Sequence, residues 1–183
     1  MVDCIDLVEY VSPEQSFCLN EAKDHTYRGC LLAEQRIDPK AFLQSDCDEE
    51  LLIHVAFSQN VRVTGLQIQG PGDKGPSKLK IFANKESLDF DSAKSEKPTQ
   101  ELTLRPDDVS AGNRFNLLTA RYKNVYALTI LVEGNFGEEE ETVINSLAVW
   151  GSVIEIKTVD LRTRGYVPKW ESDKGCDDYD KGR

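Results

Sequence analysis

Leu51-Leu52-Ile53-His54-Val55-Ala56-Phe57 is the stretch whose reading settles the fold class. Leu51, Ile53, Val55 and Phe57 share one face and His54 and Ala56 the other, the period of two of a half-buried antiparallel strand. Immediately before it, Leu43-Gln44-Ser45-Asp46-Cys47-Asp48-Glu49-Glu50 forms an acidic, solvent-seeking turn that enters the strand without a linker. A charged loop on a rigid edge suits partner recognition, because the strand positions the loop while its charges stay in water.

Outward from this stretch the chain reads as short β runs separated by turn residues, an all-β sandwich or barrel. Ser58-Gln59-Asn60 turns the chain. In the next run Val61 and Val63 share one parity while Leu66 and Ile68 share the other, which predicts a β-bulge at Gly65. Gly70 to Pro76 carries two Gly-Pro pairs and no apolar side chain, the composition of an exposed loop of restricted backbone. Its plainest role is to fix the register of the strand that follows, over Leu79 to Ala83. Phe90 to Lys97 is polar and reads as a long connection, followed by a strand over Gln100 to Leu104 and a turn at Pro106-Asp107-Asp108.

Val125 to Glu133 carries bulky residues on both faces, as a central strand would. Glu138 to Glu141 then form a loop or hairpin tip before a last run from Val143 to Trp150. The loose apolar spacing of Leu31 to Leu43, interrupted by Pro39, does not establish a helix. Glu171 to Arg183 mixes charges with two glycines and is expected to be a mobile tail, anchored at Tyr166 or Trp170. The expected organisation is one domain over residues 1–170 and a charged tail over 171–183.

Composition narrows the partners. Lysine and arginine total 22 against 32 aspartates and glutamates, a formal net charge of −10, with no basic run to offset it. Nucleic acid is excluded as the expected partner, since its binding depends on cationic neutralisation of phosphates. The same field favours encounter with a basic surface, at a rate that falls with salt. No apolar run reaches the ~20 residues of a membrane-spanning helix, and Met-Val-Asp-Cys-Ile-Asp has neither a basic n-region nor an apolar h-region, so no membrane partner is expected and the expected compartment is the cytosol or nucleus. Cys4, Cys18, Cys30, Cys47 and Cys176 are odd in number and scattered, which reads as free thiols.

Catalytic and metal chemistry find little support. Cys47 and His54 are seven positions apart, about 20 Å along an extended strand, and His54 reads as a surface histidine. Asp46, Asp48, Glu49 and Glu50 lack the glycine and distant glutamate of an EF-hand calcium loop and read as a solvated acidic turn. Cysteines and histidines never cluster at zinc spacing. Two readings of Glu138 to Glu141 stay open, a docking surface for a basic partner and a solubilising tip. Phe136 beside them is either an interface anchor or a side chain folded back on the core.

The order of landmarks resembles the PITH domain, a module found at the C-terminus of thioredoxin-like proteins and in stand-alone chains. The likeness runs through Cys18-Leu19-Asn20-Glu21, Leu43 to Ile53, the Gly-Pro loop with Lys78 to Phe82 and Asn84, Pro98-Thr99-Gln100, Tyr122-Lys123-Asn124-Val125, Leu128-Thr129-Ile130, Glu139-Glu140-Glu141-Thr142 and Gly151. The resemblance implies a jelly-roll-like β-sandwich similar to galactose-binding domains, and association with the regulatory particle of the proteasome in cytoplasm and nucleus. The Trp-Cys-Gly-Pro-Cys redox site of thioredoxin-like proteins is not in this sequence, so disulfide exchange is not carried over.

The reading is therefore a monomeric, non-catalytic interaction module without cofactor or metal, docking through Asp46, Asp48, Glu49, Phe136, Glu138, Glu139, Glu140 and Glu141. A carbohydrate- or small-ligand-binding module is the alternative, permitted by fold analogy alone.

Overall fold

The computed structural model describes residues 4–154 apart from 33, 34, 37, 39 and 86. Pro39, the expected anchors Tyr166 and Trp170 and the expected tail lie outside the described residues. In chain order the elements are β1 (Ile5–Asp6), β2 (Phe17–Leu19), α1 (Tyr27–Leu31), β3 (Leu43–Gln44), β4 (Leu51–Gln69), β5 (Lys78–Ala83), α2 (Phe90–Ser95), β6 (Gln100–Thr103), α3 (Pro106–Ala111), β7 (Arg114–Asn116), β8 (Val125–Val132), β9 (Val143–Ile144) and β10 (Ser146–Val153).

β4 organises all of it. Nineteen residues of straight strand would span about 60 Å. Yet Glu49, just before it, accepts from Thr142 at 2.6 Å, and Gln69 at its far end accepts from the Asn145 amide at 2.8 Å, only three residues further on. Both ends can meet so short a stretch only if β4 doubles back. It does so at Ser58-Gln59-Asn60, where three consecutive side chains are exposed and the register with β8 breaks between Ala56 and Val61. The expected turn is thus a bend inside one strand, and the ladder continues beyond it.

The first leg of β4 pairs with β2 and β8, and β8 pairs on to β5 and β6; the second leg pairs with β10, which carries β1, and with β7. All these pairings are antiparallel. Two leaves face each other, with Leu51, Ile53, Val55 and Phe57 of one leg and Val61, Val63, Leu66 and Ile68 of the other in a shared core. β8 is the interior strand of its leaf, as its two apolar faces predict. The change of parity is a bulge, as expected: Trp150 lies opposite Gly65 and Gly151 opposite Val63, leaving Thr64 as the extra residue.

Several expectations need correction. His54 is not on the surface but 6% exposed, stacked on Phe17 with ring centroids 4.8 Å apart and with Nδ1 2.9 Å from Thr129 Oγ1. The outer face of this leg is covered because Leu52, Leu131 and Phe82 form a second apolar cluster with Leu88 and Ala93. The stretch from Phe90 is no plain connection but helix α2, which supplies Ala93 to that cluster. Asp89 caps it, accepting from the Ser92 amide at 2.8 Å. Six helical residues are marginal alone, whereas each large apolar side chain buried beneath contributes about 1.5–3 kcal/mol. Packing therefore overrides the polar composition.

Pro106-Asp107-Asp108 opens helix α3 instead of a turn, with Pro106 at its first position and Gly112 at φ +65° ending it. The last strand is broken at Asn145 into β9 and β10. A short helix does occur near the ambiguous region, but earlier, over α1. In the Gly-Pro loop Pro71, Gly72 and Asp73 are exposed, while Gly70, Gly75 and Pro76 are buried.

Candidate functional site

The segments singled out as separate loops meet at one end of the sandwich. Ser45 and Thr142 are joined twice, the Ser45 amide donating to the Thr142 carbonyl at 3.0 Å and the Thr142 amide to Ser45 Oγ at 2.9 Å. β3 pairs with β9 beside them. Thr142 Oγ1 donates to the Glu49 carbonyl at 2.6 Å, so the acidic turn and the glutamate loop are fastened through a residue with no exposed surface.

Each loop has its own internal frame. Asn20, at φ +63°, places its side chain under the acidic turn: Nδ2 donates to Asp48 Oδ1 at 2.7 Å and to the Glu50 carbonyl at 2.7 Å, and Oδ1 accepts from the Cys47 amide at 3.0 Å. In the glutamate loop Asn135 is 8% exposed, donating to the Glu139 carbonyl and accepting from the Glu139 amide, both at 2.8 Å. Asn is suited to both places because its amide offers donors and an acceptor on one short stem.

The Gly-Pro loop completes the end. The Phe136 amide donates to the Gly75 carbonyl at 3.1 Å, Gly137 to Asp73 at 2.8 Å and Val143 to Lys74 at 2.8 Å. A Cβ on Gly137 would lie 2.6 Å from Asp73 Cβ, so only glycine permits this approach. The loop thus braces the glutamate segment in addition to setting β5. Phe136 is half-buried and packs against the main core.

Glu49, Glu133, Glu138, Glu139 and Glu140 line one hollow of about 320 Å³, with Ser77, Gly134 and Asn135. Charge pairing divides the carboxylates into two sets. Glu50 pairs with Lys94 at 2.6 Å, Glu141 with Lys74 at 2.7 Å, and Glu133 with Lys78 at 2.7 Å and Lys80 at 2.8 Å. Burial acts to raise the Glu133 carboxyl, but hydrogen bonds from Lys78 and Lys80 outweigh it and hold the group below its ordinary value. Among the described residues Asp46, Asp48, Glu49, Glu138, Glu139 and Glu140 form no ion pair. The expected docking carboxylates, Glu141 excepted, are therefore without an ion pair, although Glu139 still acts on Lys74 and Asp48 on Lys94 through space.

Sequence reasoning named these acids but missed what holds them, Asn20, Asn135 and Thr142. Asn20 stood in view within Cys18-Leu19-Asn20-Glu21, and the three short polar residues gave no periodic signal. Cys47 lies in the acidic turn, exposed and with its Sγ 3.8 Å from Asp46 Oδ2, whereas His54 is buried against Thr129. Among the described residues no three His, Cys, Asp or Glu side chains are grouped to hold a metal ion, and no helix is long and apolar enough to cross a membrane.

Comparison with known proteins gives the same outline. A PITH domain-containing protein of Caenorhabditis elegans is 35% identical over 140 residues, covering 75% of this chain and 66% of that protein. Thioredoxin-like protein 1 of Schizosaccharomyces pombe is 31% identical over 144 residues, covering 75% of this chain and 48% of its own length. The chain thus spans from about half to about two thirds of these relatives. Among solved structures, the family 32 carbohydrate-binding module of Clostridium perfringens NanJ, in complex with galactose, superposes with a TM-score of 0.59 over 81% of this chain and 99% of that one, at 11% identity. That likeness establishes a galactose-binding-like β-sandwich and nothing about ligands. The sequence blocks that converge on the acidic end belong to a match running over residues 3–166, and with it the chain is a member of the PITH domain family.

Proposed function

We propose that this chain is a non-catalytic, monomeric interaction module whose acidic end docks on a basic surface of the proteasome regulatory particle, in cytoplasm and nucleus. Membership of the PITH domain family supports a protein-interaction domain, and the relatives' names point to no catalytic family. The observation that carries the docking face is the hollow lined by Glu49, Glu138, Glu139 and Glu140, which form no ion pair, beside Glu133, which Lys78 and Lys80 neutralise. A lysine or arginine side chain entering that hollow would exchange water for several carboxylates held on a braced frame. Asp46 and Asp48 extend the same negative field along the adjoining turn and steer encounter. Phe136, anchored against the core, would stiffen the loop and offer its remaining exposed edge at the rim.

Co-sedimentation of the full chain with intact proteasomes at low and moderate salt tests this. The expected result is binding that weakens with salt and falls at least tenfold when Glu138, Glu139 and Glu140 are changed together to serine. A native chain that fails to sediment at either salt would sink the proteasome assignment. Binding that ignores the serine changes would remove the docking face from this end.

A further inference from the structure

We propose that a second hollow, on the outer face of the first leaf, binds a quaternary ammonium group, the head of choline or of a trimethylated lysine side chain. The hollow measures about 470 Å³ and lies toward the bend of β4, at the other end of its first leg from the acidic turn. Ala56 of β4 and Ala127 of β8 line it and pair directly across the ladder, at 6% and 2% exposure. The next pairs along the same face are His54 with Thr129 and Leu52 with Leu131, and α2 covers the last of these. The uncovered face therefore has its recess where its side chains are smallest. Aromatic rings border that recess: Phe17 of β2 and Tyr126 of β8 come from the strands on either side of β4, which supplies His54. Among the described residues four large apolar side chains are exposed, and Phe17 and Tyr126 are two of them.

These rings are held in place by the fold itself. Phe17 stacks on His54 with ring centroids 4.8 Å apart. The Thr129 hydroxyl donates to the Lys85 carbonyl at 3.1 Å, so in the bond between them His54 Nδ1 donates to Thr129 Oγ1, which fixes the imidazole plane. Tyr126 is tied twice to Asn84, its amide donating to Oδ1 at 2.9 Å and its hydroxyl to the backbone carbonyl at 3.2 Å. A ligand entering such a site orders little that was free before. The chemistry of the lining then selects the ligand. Aromatic rings attract a cation through their quadrupole, and the chain's net charge of −10 adds a field of the same sense. No lysine or arginine lines the hollow to repel a cation, and none is there to hold an anion. Nor does an aspartate or glutamate line it, so an ordinary ammonium or guanidinium would give up water with no carboxylate to take its N–H groups. A quaternary ammonium has no N–H to satisfy, and it keeps the full attraction to the rings.

NMR of the full chain with labelled alanine methyls reads the site directly, through Ala56 and Ala127. Choline and Nα-acetyl-trimethyl-lysine amide are each titrated, and at least one is expected to shift both methyls saturably. The tighter of the two tells whether the natural source is a free small molecule or a modified protein side chain. Neohexyl alcohol, the uncharged carbon isostere of choline, and unmethylated Nα-acetyl-lysine amide should bind about tenfold more weakly or worse. Phe17→Leu and Tyr126→Leu, which keep an apolar side chain but remove the ring, should each weaken binding several-fold, while Leu118→Ser should not. The absence of any saturable shift would overturn the proposal. So would equal binding of the isostere or of unmethylated lysine, or affinity that survives both leucine changes. Should the leucine variants fail to fold, the unaltered chain decides: cross-peaks are expected from the ligand N-methyl protons to the rings of Phe17 and Tyr126, and their absence would equally overturn it.

Discussion

Thr142 donates its hydroxyl to the carbonyl of Glu49 across 2.6 Å, and this bond joins two acidic loops that are 93 residues apart in sequence. Through its backbone Thr142 also exchanges hydrogen bonds with Ser45. The alignment of the carboxylates over one hollow therefore depends on a buried hydroxyl that itself carries no charge.

Thr142→Val removes that donor while keeping the side chain's shape. The Glu49 carbonyl and Asn135 Nδ2 both lose a partner. We expect a loss of about 1–3 kcal/mol, the range for leaving a buried polar group unsatisfied. Urea unfolding checks it, and Thr142→Ser should recover most of the loss.

Asn20 combines a left-handed backbone with a side chain that bonds three residues of the acidic turn. Both Asn20→Gly and Asn20→Ala remove the side-chain bonds, but alanine keeps a Cβ in the left-handed region, which asparagine tolerates better, and glycine avoids that cost of about 1–2 kcal/mol. The expected order of stability is native, then glycine, then alanine. An alanine variant as stable as the glycine variant would show that the backbone conformation relaxes.

Glu133 is held below its ordinary carboxylate value by Lys78 and Lys80. A folded-state value below the unfolded one contributes stability above about pH 4.3, the unfolded value, and loses it as pH falls through the folded value. Lys80→Met should lower stability at pH 7 and reduce the drop in stability on acidification below pH 4. Thermal melts from pH 7 to pH 3 measure this difference.

Cys30 has no exposed surface and burial pushes its thiol up to about 12, while Cys4 and Cys47 are exposed. Since the thiolate is the reacting form, alkylation of the folded chain at pH 8 should label Cys4 and Cys47 and leave Cys30 untouched. Mass spectrometry after digestion reads each site. Labelling of Cys30 at the rate of Cys47 would mean that the α1 region opens readily.

Gly137→Ala should separate the glutamate loop from Asp73, since its Cβ would meet Asp73 Cβ at 2.6 Å. Such overpacking costs about 1–3 kcal/mol. We expect proteasome co-sedimentation to weaken although every carboxylate is kept.

What the sequence by itself determined is the local alternation: the inward set Leu51, Ile53, Val55 and Phe57, the two-faced strand β8, the bulge beside Gly65 and the existence of two acidic runs. Period-two patterns and charge are local properties, legible wherever neighbours in sequence share an environment. The helix α3 was legible too, in the pairing of Pro106 with Gly112, had the proline been read as a helix start. Only the tertiary structure decided that β4 folds back on itself, that α2 covers Leu52, Leu131 and Phe82, and that His54 is buried against Phe17 and Thr129. It also brought Asn20 under Asp48 and Thr142 against Glu49. Those contacts join residues 28 to 93 positions apart, and no local periodicity encodes which distant polar group will satisfy a buried donor.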